Sequence, residues 1–598
     1  MKKKILSLTL ACLMIMTAFV TIVPTASAAT VTGAPTPSLT ADEQALANEG
    51  YVAYVTHTSI TSATEGAVEI DGTYAKAFQW LTPGDTTKAK FDAFFALPYA
   101  DRDAAEDSAN YVEYAHTNGS TAYLNDTAWG YVTALDGATV VFLNNVYSIG
   151  PGENIRSSNA PNDKSDVIEH GGTIGIQRDR TIDGNGFSLY MEGPICTGNN
   201  VKITVNWKNI NIQANSNGNA VIFRARSASG QTGQLNFENC TFSVGTIDKG
   251  SATNIGLFYA DTHTVQVSLT NCKIDFDSNV LDNHASDFAV FHAQRGGRNG
   301  DTIFKLTDCE IDLKTSSTKS WIFKDGNKGA NAKIDLTNVK VDTTTSAPNA
   351  NFIGVYKDRN TIIDVTDCDI KVGGCVFSGA SKGAITIDGT TSIVAPTLIT
   401  KNGSTTPTVI ATNPNFYTTS EGGAAVYAAP EMVDGASVRT NTDSNGLRFT
   451  ANFAKENTAT SYGMLVTLAS NLTNTAFTAA ALEAAGVKTY AAVPANIVAD
   501  DGSFTTALLG IADVNAQYAA RGYAIYETEN ATITVYSAYN ADKNCRSLAW
   551  VADAATKDVK TEKNQTTGHI FEVETGVFSR YSKDQYEVVK AYAAQYNG

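Results

Sequence analysis

The sequence predicts an all-β dominated chain built around a solenoid of strands, with an N-terminal cap and a smaller C-terminal α+β or β-rich domain. Three observations point there. The stretch LTNCKIDF, Leu269–Phe276, returns in altered form as FENCTFSV, LTDCEIDL, LTNVKVDT and VTDCDIKV. Apolar and polar residues alternate on both sides of its Asn or Asp, which is the period of a strand. At 598 residues the chain exceeds one ordinary core, so several domains or one elongated repeat are expected.

Aligning these stretches puts Asn144, Gly184, Asn209, Asn239, Asn271, Asp308, Asn338, Asp367 and Gly389 in one column, with separations from 22 residues (Asp367 to Gly389) to 40 (Asn144 to Gly184). A drifting period of this size marks a solenoid whose loops vary in length. Alternation breaks only at the column itself. Asn, Asp and Gly tolerate positive φ, so the column is expected to be a left-handed corner between two strands, with side-chain amides bonding along it. In one coil the inward residues are then Phe237, Cys240, Phe242 and Val244. Cys240, Cys272, Cys309 and Cys368 fall directly after the corner, where Ile210 and Val339 stand in other coils. One cysteine per coil lacks the paired spacing of a zinc site, and stacked side chains run parallel, so free buried thiols are expected.

The pattern resembles the right-handed parallel β-helix of the pectate-lyase-like superfamily, in which three strands per coil are joined by turns and one tight corner carries an asparagine ladder. The resemblance spans about residues 138–395 and includes TIDGNG at Thr181–Gly186. It implies that ligands lie along the outer face of the first strand of each coil.

The flanking regions complete the plan. Lys2, Lys3 and Lys4, an apolar run from Ile5 to Val23 and the small-residue site Ala26-Ser27-Ala28 read as a signal peptide over residues 1–28. No later segment is long and apolar enough to span a bilayer, so a soluble, secreted protein, extracellular or loosely surface-associated, is expected. Residues 29–137 form an N-terminal region. Its end, DTAWGYVTALDG, predicts a capping helix started by Asp126 or Thr127, with Trp129, Val132 and Leu135 inward and Gly137 after it. The β-helix covers 138–395, and residues 396–431, rich in Thr, Pro and Asn, form a final edge and linker. Residues 432–598 form a C-terminal module with helices expected at Thr478–Ala485 and Lys583–Tyr596. Its pieces GASVRTNTDSNGLRFTA, YGMLV, ARGYAIY and CRSLAWVA resemble a module common near the ends of secreted and surface proteins of Gram-positive, clostridia-like bacteria. Arg439, Arg448, Arg521 and Arg546 within it are expected on strand edges and solvated faces.

The candidate site lies on the first strands, which recur as VIFRAR, GLFYAD, VFHAQ, IFKDG, GVYKD and VFSGA. Registering Phe223, Phe258, Phe291, Phe323, Val355 and Phe377 inward puts Arg224, Tyr259, His292, Lys324, Tyr356 and Ser378 in an outward line. A second line holds Arg226, Asp261, Gln294, Gly326, Asp358 and Ala380. The longest of these coils adds His284, Arg295 and Arg298. Aromatic faces stack on sugar rings, and Arg and Lys bond uronate or sulfate groups, so a cationic, aromatic stripe on a chain of net charge −16 points to an acidic glycan and away from nucleic acid.

Three chemistries can be compared. Hydrolysis needs two carboxylates about 5 to 9.5 Å apart, whereas Asp261 and Asp358, three coils apart, would be separated by about 14 Å. β-Elimination needs a base and a cation facing the enolate: Lys324 or His292 as base, Tyr259 or Tyr356 as acid, Arg224 or Arg295 against the carboxylate. Arg226, Asp261, Gln294, Arg295, Tyr356 and Asp358 would contact substrate. The superfamily's lyases also use calcium held by clustered aspartates; Asp261 and Asp358 form no cluster, so no cofactor is expected. Asp261, His263 and His292 are of metal-ligating type but lack a specific spacing. The sequence therefore predicts a monomer that binds extracellular polysaccharide or cell-wall glycan, with a polysaccharide lyase and a purely structural surface protein as alternatives.

Overall fold

The computed structural model describes residues 31–597 apart from internal stretches, the longest being 103–126, 150–167, 278–286, 419–426, 493–501 and 573–582, with 294–299, 326–330 and 356–359 among the shorter ones. The expected signal peptide lies outside the described residues.

Each coil contributes three strands. In the coil of Phe237 they are Val221–Arg226, Thr232–Glu238 and Thr241–Asp248. Each pairs in parallel with its counterpart one coil on, Asn254–Thr262, Thr264–Thr270 and Lys273–Asp277. Repetition of this step builds three long parallel sheets around one continuous apolar core, and the chain is a parallel β-helix. We call the sheets first, second and third in the order in which the chain meets them within a coil.

The corner between the second and third sheets forms as its residue types dictate. Asn209, Asn239, Asn271, Asp308, Asn338 and Asp367 have φ between 50° and 54°, and Gly389 has 61°. Their side chains bond from coil to coil: Asn271 Nδ2 donates to Asn239 Oδ1 at 2.7 Å, Asn239 to Asn209 at 3.1 Å and Asn209 to Asp183 at 3.1 Å. Asn338 donates to Asp308 at 2.5 Å. The early coils depart from the expected column. Asn144 does not adopt positive φ, and at Gly184 the turn is longer, with Asn185 at 50° and Gly186 at 83°. There Lys208 still faces Asp183, but Asn211 faces Ser188, so two more residues round the corner.

Directly inside the corner, Cys240, Cys272, Cys309 and Cys368 are fully buried and their thiols are free. Each thiol donates to the carbonyl two residues before it, Glu238, Thr270, Thr307 and Thr366, at 3.2–3.3 Å. Burial pushes the Cys272 and Cys309 thiols well up in pKa and that of Cys368 up to about 12. Val339, opposite Cys309, fills the same space with an apolar side chain.

Both ends of the second sheet are closed by strands that do not belong to coils. At the N-terminal end Ala53–Thr56 pairs antiparallel with Ala138–Phe142, and the strands Thr73–Phe78 and Ala67–Ile70 follow outward. A short helix, Ala128–Val132, covers the core there; Thr127 Oγ1 accepts from Gly130 N at 2.9 Å, while Asp126 lies outside the described residues. Trp129 and Val132 are buried, and Arg180, itself 1% exposed, stacks on Trp129 and donates to the Val132 carbonyl at 2.9 Å. At the other end, Thr397–Thr400 and Thr408–Ala411 continue the first and second sheets through the stretch expected as edge and linker.

The C-terminal module joins directly onto this end, because its strand Thr532–Tyr536 pairs in parallel with Thr408–Ala411. Thr478 caps a helix over Ala479–Ala484, and another runs over Lys583–Ala593, near the expected bounds. A third, Leu548–Lys557, buries Leu548, Val551, Ala552 and Ala555, the helical spacing within and after CRSLAWVA. Arg448 and Arg546 are half-buried, but Arg521, expected on a solvated surface, is only 7% exposed.

Candidate functional site

The first sheet departs from simple alternation, and this decides what faces outward. In five of its strands two consecutive residues join the core: Leu257 and Phe258, Val290 and Phe291, Ile322 and Phe323, Phe352 and Ile353, Val376 and Phe377, all at most 1% exposed. Their phenylalanines stack along the axis, Phe258 on Phe291 at 4.9 Å and Phe291 on Phe323 at 4.7 Å. The expected inward column is therefore formed, with one correction. Ile353, not Val355, pairs with Phe323, so Gly354 pairs with Lys324 where Tyr356 had been expected.

The remaining line is in register: Arg224 pairs with Tyr259, Tyr259 with His292 and His292 with Lys324. Neighbouring strands lie about 4.8 Å apart, so these four side chains rise from one sheet within about 15 Å. The Tyr259 and His292 rings meet edge to face, with centroids 5.2 Å apart. Arg224, Tyr259 and Lys324 are half-buried, whereas His292 is only 4% exposed and is thus less open than the sequence suggested.

The buried pair also brings Trp321 and Lys324, three residues apart, together beside it. Lys324 Nζ lies 4.6 Å from the centroid of the Trp321 ring, a cation–π contact. A Cβ added to Gly354 would stand 2.8 Å from the indole, so this glycine makes the room in which Trp321 lies. The indole Nε1 is shielded from solvent and has no hydrogen-bond partner among the described residues. Sequence reasoning missed Trp321 because strict alternation assigns it no role. The signal was present in WIFK, where an apolar pair is flanked by an aromatic and a cation.

The second expected line is formed less fully. A register shift after Ala225 places Thr262, not Asp261, opposite Arg226. Thr197 Oγ1 holds the Arg226 backbone, accepting from its N–H at 2.6 Å and donating to its carbonyl at 3.0 Å. Asp261 lies in the strand Asn254–Thr262, but its side chain is not among those described. Gln294, Arg295, Tyr356 and Asp358 lie outside the described residues, as do His263, His284 and Arg298. Among the described residues no group of three His, Cys, Asp or Glu side chains is placed to hold a metal ion, and no helix is long and apolar enough to cross a membrane. A separate open cleft of about 570 Å³, lined by His57, Tyr74, Asp136 and several threonines, contains none of the expected site residues.

Comparison of the chain with family models, with curated proteins and with solved structures gave no match. The parallel β-helix class therefore rests on the strand pairings alone.

Proposed function

We propose that this is a secreted or surface-associated, right-handed β-helix protein of the pectate-lyase-like kind that binds acidic extracellular polysaccharide along its first sheet, as a monomer without a metal cofactor. One observation carries the reading: Lys324, with the Trp321 ring stacked against it, stands in register with His292, Tyr259 and Arg224 on a single sheet. An aromatic face offers a sugar ring a platform, and the adjacent cations suit its carboxylate or sulfate. Repetition at about 4.8 Å per coil suits a long polymer, since successive coils can meet successive parts of one chain.

A second reading, β-elimination on a uronic-acid glycan, is favoured by the pairing of His292 with Lys324, which puts two candidate bases on adjacent strands. The two readings separate in one experiment. A panel of uronic-acid, sulfated and neutral polysaccharides is offered to the protein, with retention on each and ultraviolet absorbance of unsaturated products both recorded. Retention on acidic glycans with flat absorbance is the expected outcome. Rising absorbance would make the protein a lyase, and no retention on any glycan would leave a structural surface role.

A further inference from the structure

We propose that the open cleft at the N-terminal end of the second sheet is a binding site for one neutral pyranose ring, separate from the site on the first sheet. Its volume of about 570 Å³ falls within the range of small-molecule sites, ~300–1,000 Å³. It opens beside Thr56, at the end of the strand Ala53–Thr56, which is flanked by Thr139 of Ala138–Phe142 on one side and by Thr73–Phe78 on the other.

The walls are fixed by bonds that leave the interior groups unused. His57 ties two walls together: its Nδ1 accepts from Ser59 N at 3.2 Å and from Ser59 Oγ at 2.7 Å, while Nε2 donates to the Asp136 carbonyl at 3.0 Å. A carbonyl only accepts, so the ring carries its hydrogen on Nε2. Asp136 Oδ1 in turn accepts from Asp179 N at 3.1 Å, and Gly137 N donates to the Asp179 carbonyl at 2.8 Å. The third wall is the turn between Ala67–Ile70 and Thr73–Phe78, with Asp71 at φ 47° and Gly72 at 79°, the left-handed pair that a two-residue hairpin requires. Asp71 N donates to Asp42 Oδ2 at 3.0 Å and holds that turn. A cleft secured on three sides needs little ordering when a ligand enters.

The lining defines the class of ligand. The hydroxyls of Thr56, Thr58, Thr73 and Thr139 make no hydrogen bond to a described residue, and neither does Asp136 Oδ2. Hydroxyls donate and accept alike, and a carboxylate oxygen can accept from neighbouring hydroxyls, which matches the rim of a sugar ring. Tyr74, 37% exposed, supplies an aromatic face for the ring to stack on. No described residue that lines the cleft is Lys or Arg, and the Asp136 carboxylate repels a uronate or sulfate, so the ring it suits is uncharged. This is the reverse of the first sheet, where a cation lies against the indole.

The test uses the full chain. Methyl glycosides of glucose, galactose, mannose, xylose and N-acetylglucosamine, and of glucuronic and galacturonic acid, are titrated against it with saturation-transfer NMR as the readout. The expected result is saturable binding of at least one neutral glycoside, insensitive to added salt, and weaker or absent binding of both uronides. Tyr74→Ala and Asp136→Asn should each weaken the neutral complex at least tenfold. Tyr74→Phe, which keeps the ring, should bind within threefold of the native chain, and so should Trp550→Ala, which removes a comparably exposed aromatic side chain, 38%, from the C-terminal module. Thermal melting verifies that each variant folds; should Asp136→Asn fail to do so, Tyr74→Ala and Thr58→Val decide the matter. No binding of any neutral glycoside would overturn the proposal, as would preference for a uronide or equal affinity in the native chain and Tyr74→Ala.

Discussion

At the scale of the residue, burial decides what each polar group can do. Asp85 is 4% exposed and accepts from the Leu81 and Thr82 backbone N–H groups and the Thr82 hydroxyl. Desolvation nevertheless dominates and raises its pKa from 3.8 to about 6. A carboxyl raised on folding stabilises most when protonated, so its contribution is full below about pH 4 and is lost as the pH rises through 6, roughly 3 kcal/mol in all. Asp85→Asn keeps an acceptor for the N–H groups and cannot titrate. Urea unfolding at pH 4.5 and 7.5 should show a smaller stability difference between the two pH values for the variant than for the native chain; an unchanged difference would refute this role. The cysteine stack gives a second test. Cys272→Val copies what Val339 does two corners further and should cost less than about 1.5 kcal/mol, whereas Cys272→Ser brings a more strongly hydrated group inside and should cost about 1–3 kcal/mol by thermal melting.

Elements are held by the corner, and the N-terminal segment depends on it. Asp308 can only accept, so it offers no amide N–H to Asn271, and the coil-to-coil chain of side-chain bonds does not pass between them. At that level the chain's own residue 32 enters: Thr32 N donates to Asn271 Oδ1 at 3.0 Å and Asn271 Nδ2 to Thr32 Oγ1 at 2.8 Å. From there the segment runs down the corner, with Ala34 N on Thr241 Oγ1 at 3.0 Å and Pro35–Pro37 against Gly186. Gly33, at φ 66°, has no room for a Cβ beside Thr241. Asn271→Gly retains the left-handed turn and removes the bonds, while Asn271→Ala also adds strain of about 1 kcal/mol. Both variants should speed exchange of the Thr32 and Ala34 amides, with Asn271→Ala the less stable; equal exchange to the native chain would show that the rung does not hold the segment. The corner was legible because αL backbone selects Asn, Asp and Gly wherever it occurs. The segment that clasps it was not, since single side-chain bonds over a separation of 239 residues leave no period in a sequence.

Across the whole molecule, the order of strands was legible and their outer faces only partly so. Periodicity located each first strand and the phenylalanine column, but a doubled inward pair shifts the outer set. This is why Trp321 was missed and Tyr356 assigned a place that Gly354 occupies. The joint with the C-terminal module was likewise hidden, because parallel pairing of Thr408–Ala411 with Thr532–Tyr536 depends on neither residue alone. What the assembled molecule presents is one sheet on which an ammonium group, a guanidinium and two rings stand in register, with an indole stacked against the ammonium group. Calorimetric titration of an oligouronide into the native chain and into Trp321→Ala and Lys324→Ala tests that arrangement most directly. Loss of the ring or the cation should each weaken binding about tenfold, roughly 1.4 kcal/mol, and added salt should weaken the native complex more than that of Lys324→Ala. Binding of equal strength and equal salt dependence in all three proteins would contradict the account.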